Sequence, residues 1–522
     1  MVKIIMTFCR IIVGSLFIVS GLIKVNDAIG FSYKLEEYFG ERALGFPGLI
    51  EYALPISVFI VIGEVLLGVA VLLGAWPKLT TTLILAMTVF FTWLTFYTSH
   101  CEPTSLAIFE SAEGKYYIES PDCVLTCGCF GDAIKLKPIE SFYKDVVLLI
   151  FIIPIFFYAW AGKIKLNTLK EDMIIGIASL ITVAGFSYTM LDWMFPVLFT
   201  LISFGVGVLI KKMTNSKEWL MAIGVLVVCC FLQYWTLVHL PLKDYRAYAI
   251  GKDLKLQMAS SEERIAMTPL ADFIREKIIP IAADTIDFEG ELSDTSNIVN
   301  LREYLMANQS SNPAIAPVLD ELNKNFDVWN QEIRDLQPPK SVNVYTLKNK
   351  ETGESKEVDS DTYLKEKSLQ KAPWELQKDK TYSKQISEGY EPAIMDFSPM
   401  TEEGEEMKDS ILNYDRVFLL VSWNLDKFNT DHIAEINDFA AKAQKDGAKF
   451  FGVSSSSGEQ LKQFRFDHQT PFDFLTNDGT ELKIIVRSNP GLVCIENGVV
   501  VNMWANADIP NYDQEKAKSF KP

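Results

Sequence analysis

Four cysteines share one segment of the chain: Cys101, Cys123, Cys127 and Cys129 all lie between residues 100 and 141. In the run SPDCVLTCGCFGDAIKLKP, Cys127 and Cys129 stand one glycine apart. A C-x-C disulfide closes a small, strained ring and is comparatively easy to reduce, which is the property of a redox couple. The same residues suit two other chemistries. Structural disulfides would pin a long loop at roughly 2–4 kcal/mol each, with three pairings open to four cysteines. A Cys101–Cys123 bridge is compatible with either use of the other two. A zinc site with four thiolates is the third chemistry, but C-x21-C-x3-C-x-C departs from the paired C-x2-C spacing of such sites, and no metal is assigned. Cys9, Cys229 and Cys230 fall in apolar runs, where a thiol is a small packing residue, and Cys494 reads as a core residue of a strand.

The elements that hold these residues are of two kinds. The chain has 522 residues, 49 % hydrophobic and 22 % charged, with a mean hydropathy of +0.14. Up to Leu242, 16 Lys+Arg face 18 Asp+Glu; beyond it 33 face 48, so most of the net charge of −17 lies in the second half. That acidic balance argues against nucleic acid as a partner, because phosphate binding needs a basic face. The apolar first half excludes disorder as a description of the whole.

The first half divides into apolar runs of about 17–25 residues, the length of helix that crosses a hydrocarbon core about 30 Å thick. Seven spans are predicted, at 4–24, 49–75, 79–99, 142–161, 173–191, 193–210 and 218–240. Arg10 interrupts the first, and no small-residue cleavage site follows it, so it reads as an uncleaved span rather than a signal peptide. Lys3, Arg10, Lys78, Lys163, Lys165, Lys170, Lys211, Lys212 and Lys217 fall on one side of this arrangement, whereas 25–48 and 100–141 carry more acid than base. Positive charge is retained on the cytoplasmic side. The expected placement is a multi-pass protein of a bacterial inner membrane, with its N-terminus in the cytoplasm. The cysteine loop and everything after Leu242 then face the periplasm, where grouped thiols seldom stay reduced. Arg10 and Glu64 sit at bilayer depth, at a cost of at least ~2.5–3.5 kcal/mol each. Arg10 is expected to snorkel to the cytoplasmic interface and Glu64 to be bonded inside the bundle; a proton or quinone role for Glu64 is the functional alternative.

The run CGCFGDAIKL ahead of a membrane helix, RIIVGSLFIVSGLIKVNDAIGF at the start and GEVLLGVAVLLG in the second span together resemble the DoxX/MauE group of redox-associated four-helix membrane proteins, over residues 1–160. The positions of Arg10, Lys24 and Glu64 fit that group's pattern. The resemblance implies a four-helix bundle and, for MauE-like proteins, a part in periplasmic disulfide formation or in the maturation of partner proteins. It also implies a bundle plan shared with vitamin K epoxide reductase-type enzymes, through which a quinone enters as electron acceptor. Those enzymes use C-x-x-C; this chain has C-x-C.

Beyond the seventh span, HLPLKDYRAYAIGKDL reads as a short ordered collar. It resembles a stretch in larger DoxX proteins of the Bacteroidetes type, in which a bundle is joined to a periplasmic thioredoxin-like domain. Residues 260–336 show apolar residues recurring at three and four positions, hence a helical insertion without catalytic spacing, suited to contact with a partner or the bundle surface. SVNVYTLKNKETGESKEV reads as a β-hairpin, followed by a polar linker. From Asp396 strands and helices alternate, as in an α/β sandwich: RVFLLVSW, DHIAEINDFAAKAQKDG, AKFFGVSSS, GEQLKQFRFD, PFDFL, a short helix near TELKIIV and the hairpin SNPGLVCIENGVVVNMW. The order resembles the thioredoxin/TlpA/peroxiredoxin-like fold. In that family the first strand runs into Trp-Cys-x-x-Cys at a helix start, which lowers the thiol pKa. The matching run here is Trp423, Asn424, Leu425, Asp426 and Lys427, with sulfur at neither cysteine position, and Pro490 stands where the family carries its cis-proline.

Five segments are therefore expected: a DoxX/MauE-like four-helix membrane bundle with the cysteine loop at 1–161, three further transmembrane helices at 162–242, a collar and helical insertion at 243–339, a hairpin and linker at 340–395, and a degenerate thioredoxin-like α/β domain at 396–522. The expected function is an inner-membrane thiol/disulfide redox or envelope-protein maturation factor; as an enzyme it would be a thiol–disulfide oxidoreductase. Cys127, Cys129, Cys101 and Cys123 form its site, and a groove around Trp423, Asn424, Lys427 and Pro490 binds envelope polypeptides. The lipid bilayer surrounds it, and a membrane quinone is the candidate cofactor. The rival is a non-catalytic scaffold of a cell-envelope complex with structural disulfides. A third reading, a carrier of protons or small molecules, rests on Glu64 alone.

Overall fold

Hydrocarbon offers a backbone no hydrogen-bonding partner, so a long apolar run placed in it is committed to helix. The computed structural model describes residues 2–41, 43–101, 107–110, 116–119, 124, 128–282, 295–387 and 389–513. Its first helix, α1 (Val2–Asn26), is followed by α2 (Ala28–Phe39), α3 (Ala53–Leu73, preceded by a 3-10 turn from Pro47) and α4 (Pro77–Ser99). Then come α5 (Pro138–Trp160), α6 (Leu169–Phe186, continued by a π turn to Leu191), α7 (Phe195–Met213) and α8 (Glu218–Val238). All but α2 are long and apolar enough to cross a membrane, giving seven candidate spans among the described residues. The protein is a multi-pass membrane protein, and each span starts and ends within a few residues of its predicted place. The segment 25–48 differs from expectation: it is not a plain loop but contains α2. Phe31, Leu35 and Tyr38 recur at helical spacing and are buried. Asp27 caps the helix, its carboxylate accepting from Gly30 N at 2.8 Å.

Small residues bring α1 and α3 together backbone to backbone. A Cβ on Gly68 would lie 2.9 Å from the Gly14 carbonyl oxygen and 2.8 Å from Ile18, and one on Gly14 would meet Leu72 at 2.5 Å. Such close approach fixes which residues of the two helices face each other farther along. Gly68→Leu should therefore prise α1 from α3 at about 1–3 kcal/mol or more, lowering the thermal unfolding temperature of the detergent-purified protein. Gly63→Leu, where the nearest atom to an added Cβ is Met87 at 4.0 Å, should leave it unchanged.

At the other end of α1, Arg10 does not snorkel. It is 7 % exposed and turns inward, donating from Nε to Val71 O and from Nη2 to Leu72 O and Asn167 Oδ1, all at 2.9 Å. The last turn of α3 leaves carbonyls without intrahelical partners, and the guanidinium meets them. Asn167 continues the network to Asp172 at 3.0 Å, and Lys211 donates to Asn167 O at 2.6 Å and pairs with Asp172. The network joins α1, α3, α6 and α7.

Within the segment between α4 and α5, β1 (Ala107–Glu110) and β2 (Tyr116–Glu119) form an antiparallel hairpin. The chain as a whole forms two compact units, one made of Met1–Gly251 with Phe397–Pro522 and the other of Lys252–Asp396. The second unit has a helical part, in which Ile265, Leu270 and Phe273 pack with Leu319, Leu322 and Ile333 of the amphipathic helix Ile315–Asp335. Its three-stranded antiparallel sheet has the order β4-β3-β5, from β3 (Lys340–Asn349), β4 (Ser355–Asp359) and β5 (Trp374–Ser387). The hairpin is as predicted. The polar stretch read as a linker instead supplies β5, whose Leu376 pairs with Leu347 and packs with Val358 and Leu369.

The rest of the first unit is a mixed sheet of β6 (Val417–Ser422), β7 (Lys449–Ser454), β8 (Asp473–Thr476), β9 (Gly491–Glu496) and β10 (Val499–Ala505). The order is β10-β9-β6-β7-β8, with β6, β7 and β8 parallel and β9 and β10 antiparallel. Every residue of β6 is buried, as a central strand covered on both faces requires. Helices Ile433–Lys445 and Gly458–His468 make the crossovers, and Phe418, Phe439, Phe450, Phe472 and Cys494 share the core. Asn497 and Gly498 turn β9 into β10 with φ of +49° and +88°, the left-handed pair that a two-residue hairpin needs. Tyr248, before the second unit, and Phe397, after it, meet edge to face with ring centroids 6.2 Å apart.

Candidate functional site

The close packing of α1 on α3 sets Lys24 against Glu64. Lys24 Nζ lies 2.5 Å from Glu64 Oε1, with side chains only 3 % and 4 % exposed. Ser20, one helical turn before Lys24, donates to Glu64 Oε2 at 3.0 Å, and Lys24 Nζ reaches Ser20 Oγ at 3.1 Å. The ammonium also stands 5.4 Å from the ring centres of both Phe31 and Phe91. Fourteen residues separate Lys24 from Arg10, so the two buried charge clusters lie about 21 Å apart along α1. Glu64 is thus bonded inside the bundle, and Lys24, carried in the sequence only by a family pattern, is its partner.

The pair borders a cavity of about 450 Å³ whose walls come from α1, α3, α4, α5 and α6. Its lining is mostly apolar, with Phe17, Phe91, Phe130 and Phe186 among the rings. A second ion pair lies on the α5 side, Lys144 Nζ to Asp145 Oδ1 at 2.9 Å, with Thr95 donating to Asp145 at 3.2 Å.

Phe130 ties the cysteine loop to this cavity. The turn Gly128–Phe130 contains Cys129. Gly128 is buried against α2, where an added Cβ would meet Phe31 at 3.3 Å, and Phe130 packs with Val19 and Ile23 of α1 and with Val183 and Leu191. Val124 makes a second anchor, with Tyr38 and Leu94. Cys101 is disulfide-bonded, whereas Cys9, Cys229, Cys230 and Cys494 are free. Cys123 and Cys127, and the side chain of Cys129, lie outside the described residues.

The sheet carries the run after β6 to the same place. Ser422 donates to Asn489 Oδ1 and Asn489 Nδ2 donates to Asn424 O, both at 2.8 Å, joining the Trp423–Lys427 turn to the segment before β9. The Asn489–Pro490 peptide is cis. The Trp423 ring lies edge-on to Tyr33 of α2, 6.5 Å between centroids. Lys483 Nζ stands 4.7 Å from the Tyr33 ring and 5.1 Å from Trp423, and it pairs with Glu36 at 2.7 Å. Lys427 is exposed and stands 5.2 Å from the Trp423 ring. Arg487 completes the junction, with Nε 3.0 Å from both carboxylate oxygens of Asp27 and Nη2 3.2 Å from Asp132. Burial alone would weaken the guanidinium's hold on its proton, but Asp27 and Asp132 outweigh it and hold its pKa above the usual arginine value. Burial pushes the Tyr33 phenol up, keeping it neutral. The collar adds Arg246, which donates from Nη1 to Ile484 O and Ile485 O at 3.1 Å, and Tyr248, whose hydroxyl bonds Glu481.

Trp423 and Pro490 are therefore on the side of the sheet that faces α2 and the base of the cysteine loop. Sequence reasoning missed Asp27, Tyr33, Asp132 and Arg487. The signal for Asp27 was present, as an N-cap ahead of apolar residues at helical spacing; Arg487 and Asp27 are 460 residues apart, and no local pattern announces their pairing.

Residues 2–103 match the family of methylamine utilisation protein MauE. The matched stretch contains α1 to α4, with Arg10, Lys24, Asp27, Glu64 and Cys101, and ends before Cys123, Cys127 and Cys129. No curated protein and no solved structure matches the chain. The first part of the chain is a MauE-like membrane domain, consistent with a redox-associated or maturation role in a membrane.

Proposed function

We propose that this MauE-like protein is an inner-membrane thiol/disulfide exchange factor for envelope proteins, working through Cys127 and Cys129. The observation that carries the reading is the Gly128–Phe130 turn. It is held on one side by α2 and continues directly into the wall of the cavity with the Lys24–Glu64 pair. The Lys/Arg asymmetry of the loops supports a cytoplasmic N-terminus and a periplasmic cysteine loop. The sheet order, with three parallel strands and an antiparallel pair, supports a thioredoxin-like ancestry for the C-terminal domain. Lacking a thiolate at 423–427, it cannot exchange disulfides itself. With Trp423 against Tyr33 and Arg487 between Asp27 and Asp132, it acts as a clamp that fixes the loop's base.

In this mechanism a partner thiolate attacks one sulfur of the Cys127–Cys129 disulfide, and the other cysteine leaves as thiolate. A second partner thiolate then attacks the mixed disulfide. The partner leaves oxidised and the loop is left as a dithiol, holding two electrons and, once neutralised, two protons. The exchange is reversible: when Cys127 or Cys129 is replaced with Ala, the remaining thiolate should attack the disulfide of an oxidised partner and, with no second loop thiol to release it, stay bound as a mixed disulfide, seen as a reducible adduct on a non-reducing gel. The scaffold reading, favoured by the sulfur-free turn at Trp423–Lys427, expects no adduct from either variant and unaltered envelope-protein oxidation when both are lost.

A further inference from the structure

We propose that the bundle holds one molecule of phosphatidylethanolamine from the surrounding leaflet, with an acyl chain in a groove between α4 and α8 and its ammonium on Glu218. The inference is independent of the cysteine chemistry. Both helices pack on α3, and the groove runs between them with α3 as its floor. Leu66 and Leu73 of α3, Leu79 and Leu83 of α4, and Met221 and Val225 of α8 line it. Leu79 and Leu83 are exposed on the side of a candidate membrane span, so the medium at the groove is lipid. Leu66 to Leu73 cover about 10 Å of helix, less than half of a hydrocarbon core about 30 Å thick, which keeps the groove within one leaflet. At its outer end α3 stops and α4 and α8 begin. Trp76 and Trp219 stand there, 40 % and 53 % exposed, as indoles do at the headgroup level.

Width and charge decide the occupant. The groove has a volume of about 170 Å³, which over that length leaves a channel roughly 4–5 Å across. One hydrocarbon chain fits it, whereas a helix of a partner or of a second copy, about 10–12 Å across with its side chains, does not. Glu218 is the one charged residue in the lining. Its Oε2 accepts from Trp76 N at 2.5 Å, tying the start of α8 to the start of α4 across the outer end of the groove. Among the described residues nothing donates to its Oε1, and a carboxylate has about four lone-pair sites to offer. A primary ammonium brings three donors to that oxygen. The quaternary ammonium of phosphatidylcholine brings none, and the anionic phosphatidylglycerol meets a like charge. Lys217, the exposed residue before Glu218, places a positive charge beside the carboxylate for the phosphate.

The test is native mass spectrometry of the delipidated full-length protein in detergent, titrated with phosphatidylethanolamine, phosphatidylcholine and phosphatidylglycerol of identical chains. The wild type should retain one phosphatidylethanolamine about tenfold more tightly than either other lipid, the size of one hydrogen bond to a charged group. Ala222→Leu and Leu83→Trp fill the groove from α8 and from α4, and each should weaken that binding about tenfold or more, as the loss of two buried methylenes does. Because they act from different helices, one that misfolds leaves the other to decide. Glu218→Gln keeps an oxygen for Trp76 N and should abolish the preference among headgroups while a lipid still binds. Equal retention of the three lipids by the wild type, or phosphatidylethanolamine binding unchanged in the groove variants, overturns the proposal. So does a dimer of the wild type that Leu83→Trp dissociates, since a second copy would then fill the groove. Thiol trapping should be unaltered in the groove variants, so its failure would count against the exchange reading alone.

Discussion

Arg487→Met is expected to free the sheet domain from the membrane bundle while leaving both folded. The guanidinium is 6 % exposed, and it joins Asp27, at the start of α2, to Asp132, in the cysteine segment. Methionine keeps the bulk and removes the charge, which leaves two carboxylates facing an apolar side chain. Truncating one side of a desolvated pair at an interface costs about 2–5 kcal/mol, or roughly 30- to 4,000-fold in the docked-to-undocked ratio. Lys483, which Glu36 and Tyr33 cover in the docked state, should then become a fast tryptic site, while the far-ultraviolet circular dichroism of the helices stays at the wild-type level. Adding Asp27→Asn to Arg487→Met should recover part of the loss, because one stranded charge is gone. A digestion rate identical to wild type in Arg487→Met would mean that the clamp is not held there.

The second large effect belongs to the opposite end of α1. Asp172→Leu removes the one carboxylate bonded to both Asn167 and Lys211, leaving the cations Arg10 and Lys211 in the bundle. One-sided removal from a buried pair costs about 3–5 kcal/mol, a large share of the 5–15 kcal/mol typical of a whole protein. The variant should accumulate in the membrane at a small fraction of the wild-type level and unfold at a lower temperature in detergent. Asp172→Leu/Lys211→Leu should regain much of that, since no unpaired lysine remains. Lys3→Ala, which breaks an exposed contact to Glu171 at 2.9 Å, should shift stability by less than about 1 kcal/mol. Equal losses from Asp172→Leu and Lys3→Ala would show that the inner network is not what joins the four helices.

The spans were legible because hydrophobicity over twenty residues leaves a helix no competitor in lipid. β6 and the helix ending before Gly447 were legible because their apolar periods differ. α2 was not read, since GFSYKLEEYF carries charges on its outer face and sits where a loop was wanted, yet Phe31, Leu35 and Tyr38 hold the helical spacing. β5 was missed for a related reason: WELQKDKTYSKQIS is polar outside its first residues, and its pairing with β3 decides its form. At the candidate site the sequence showed the charges without their partners. Arg10 and Glu64 were visible as costs, but that one meets carbonyls of α3 and the other a lysine forty residues earlier depends on how α1 crosses α3. The same holds for Trp423, recognisable as the end of a strand, whose edge-on contact with Tyr33 lies beside another distant pairing, that of Arg487 with Asp27.

The Tyr248–Phe397 contact closes the base from which the Lys252–Asp396 unit departs and to which it returns. A stretch whose two ends meet on one body is a cassette: it can be lengthened, exchanged or excised between Gly251 and Phe397 without rerouting the chain on either side. The order of synthesis adds a constraint. The bundle segment emerges first and the sheet that covers α2 emerges last, so through the making of the whole cassette Asp27 and Tyr33 await their partners, and a chain terminated early would leave them bare.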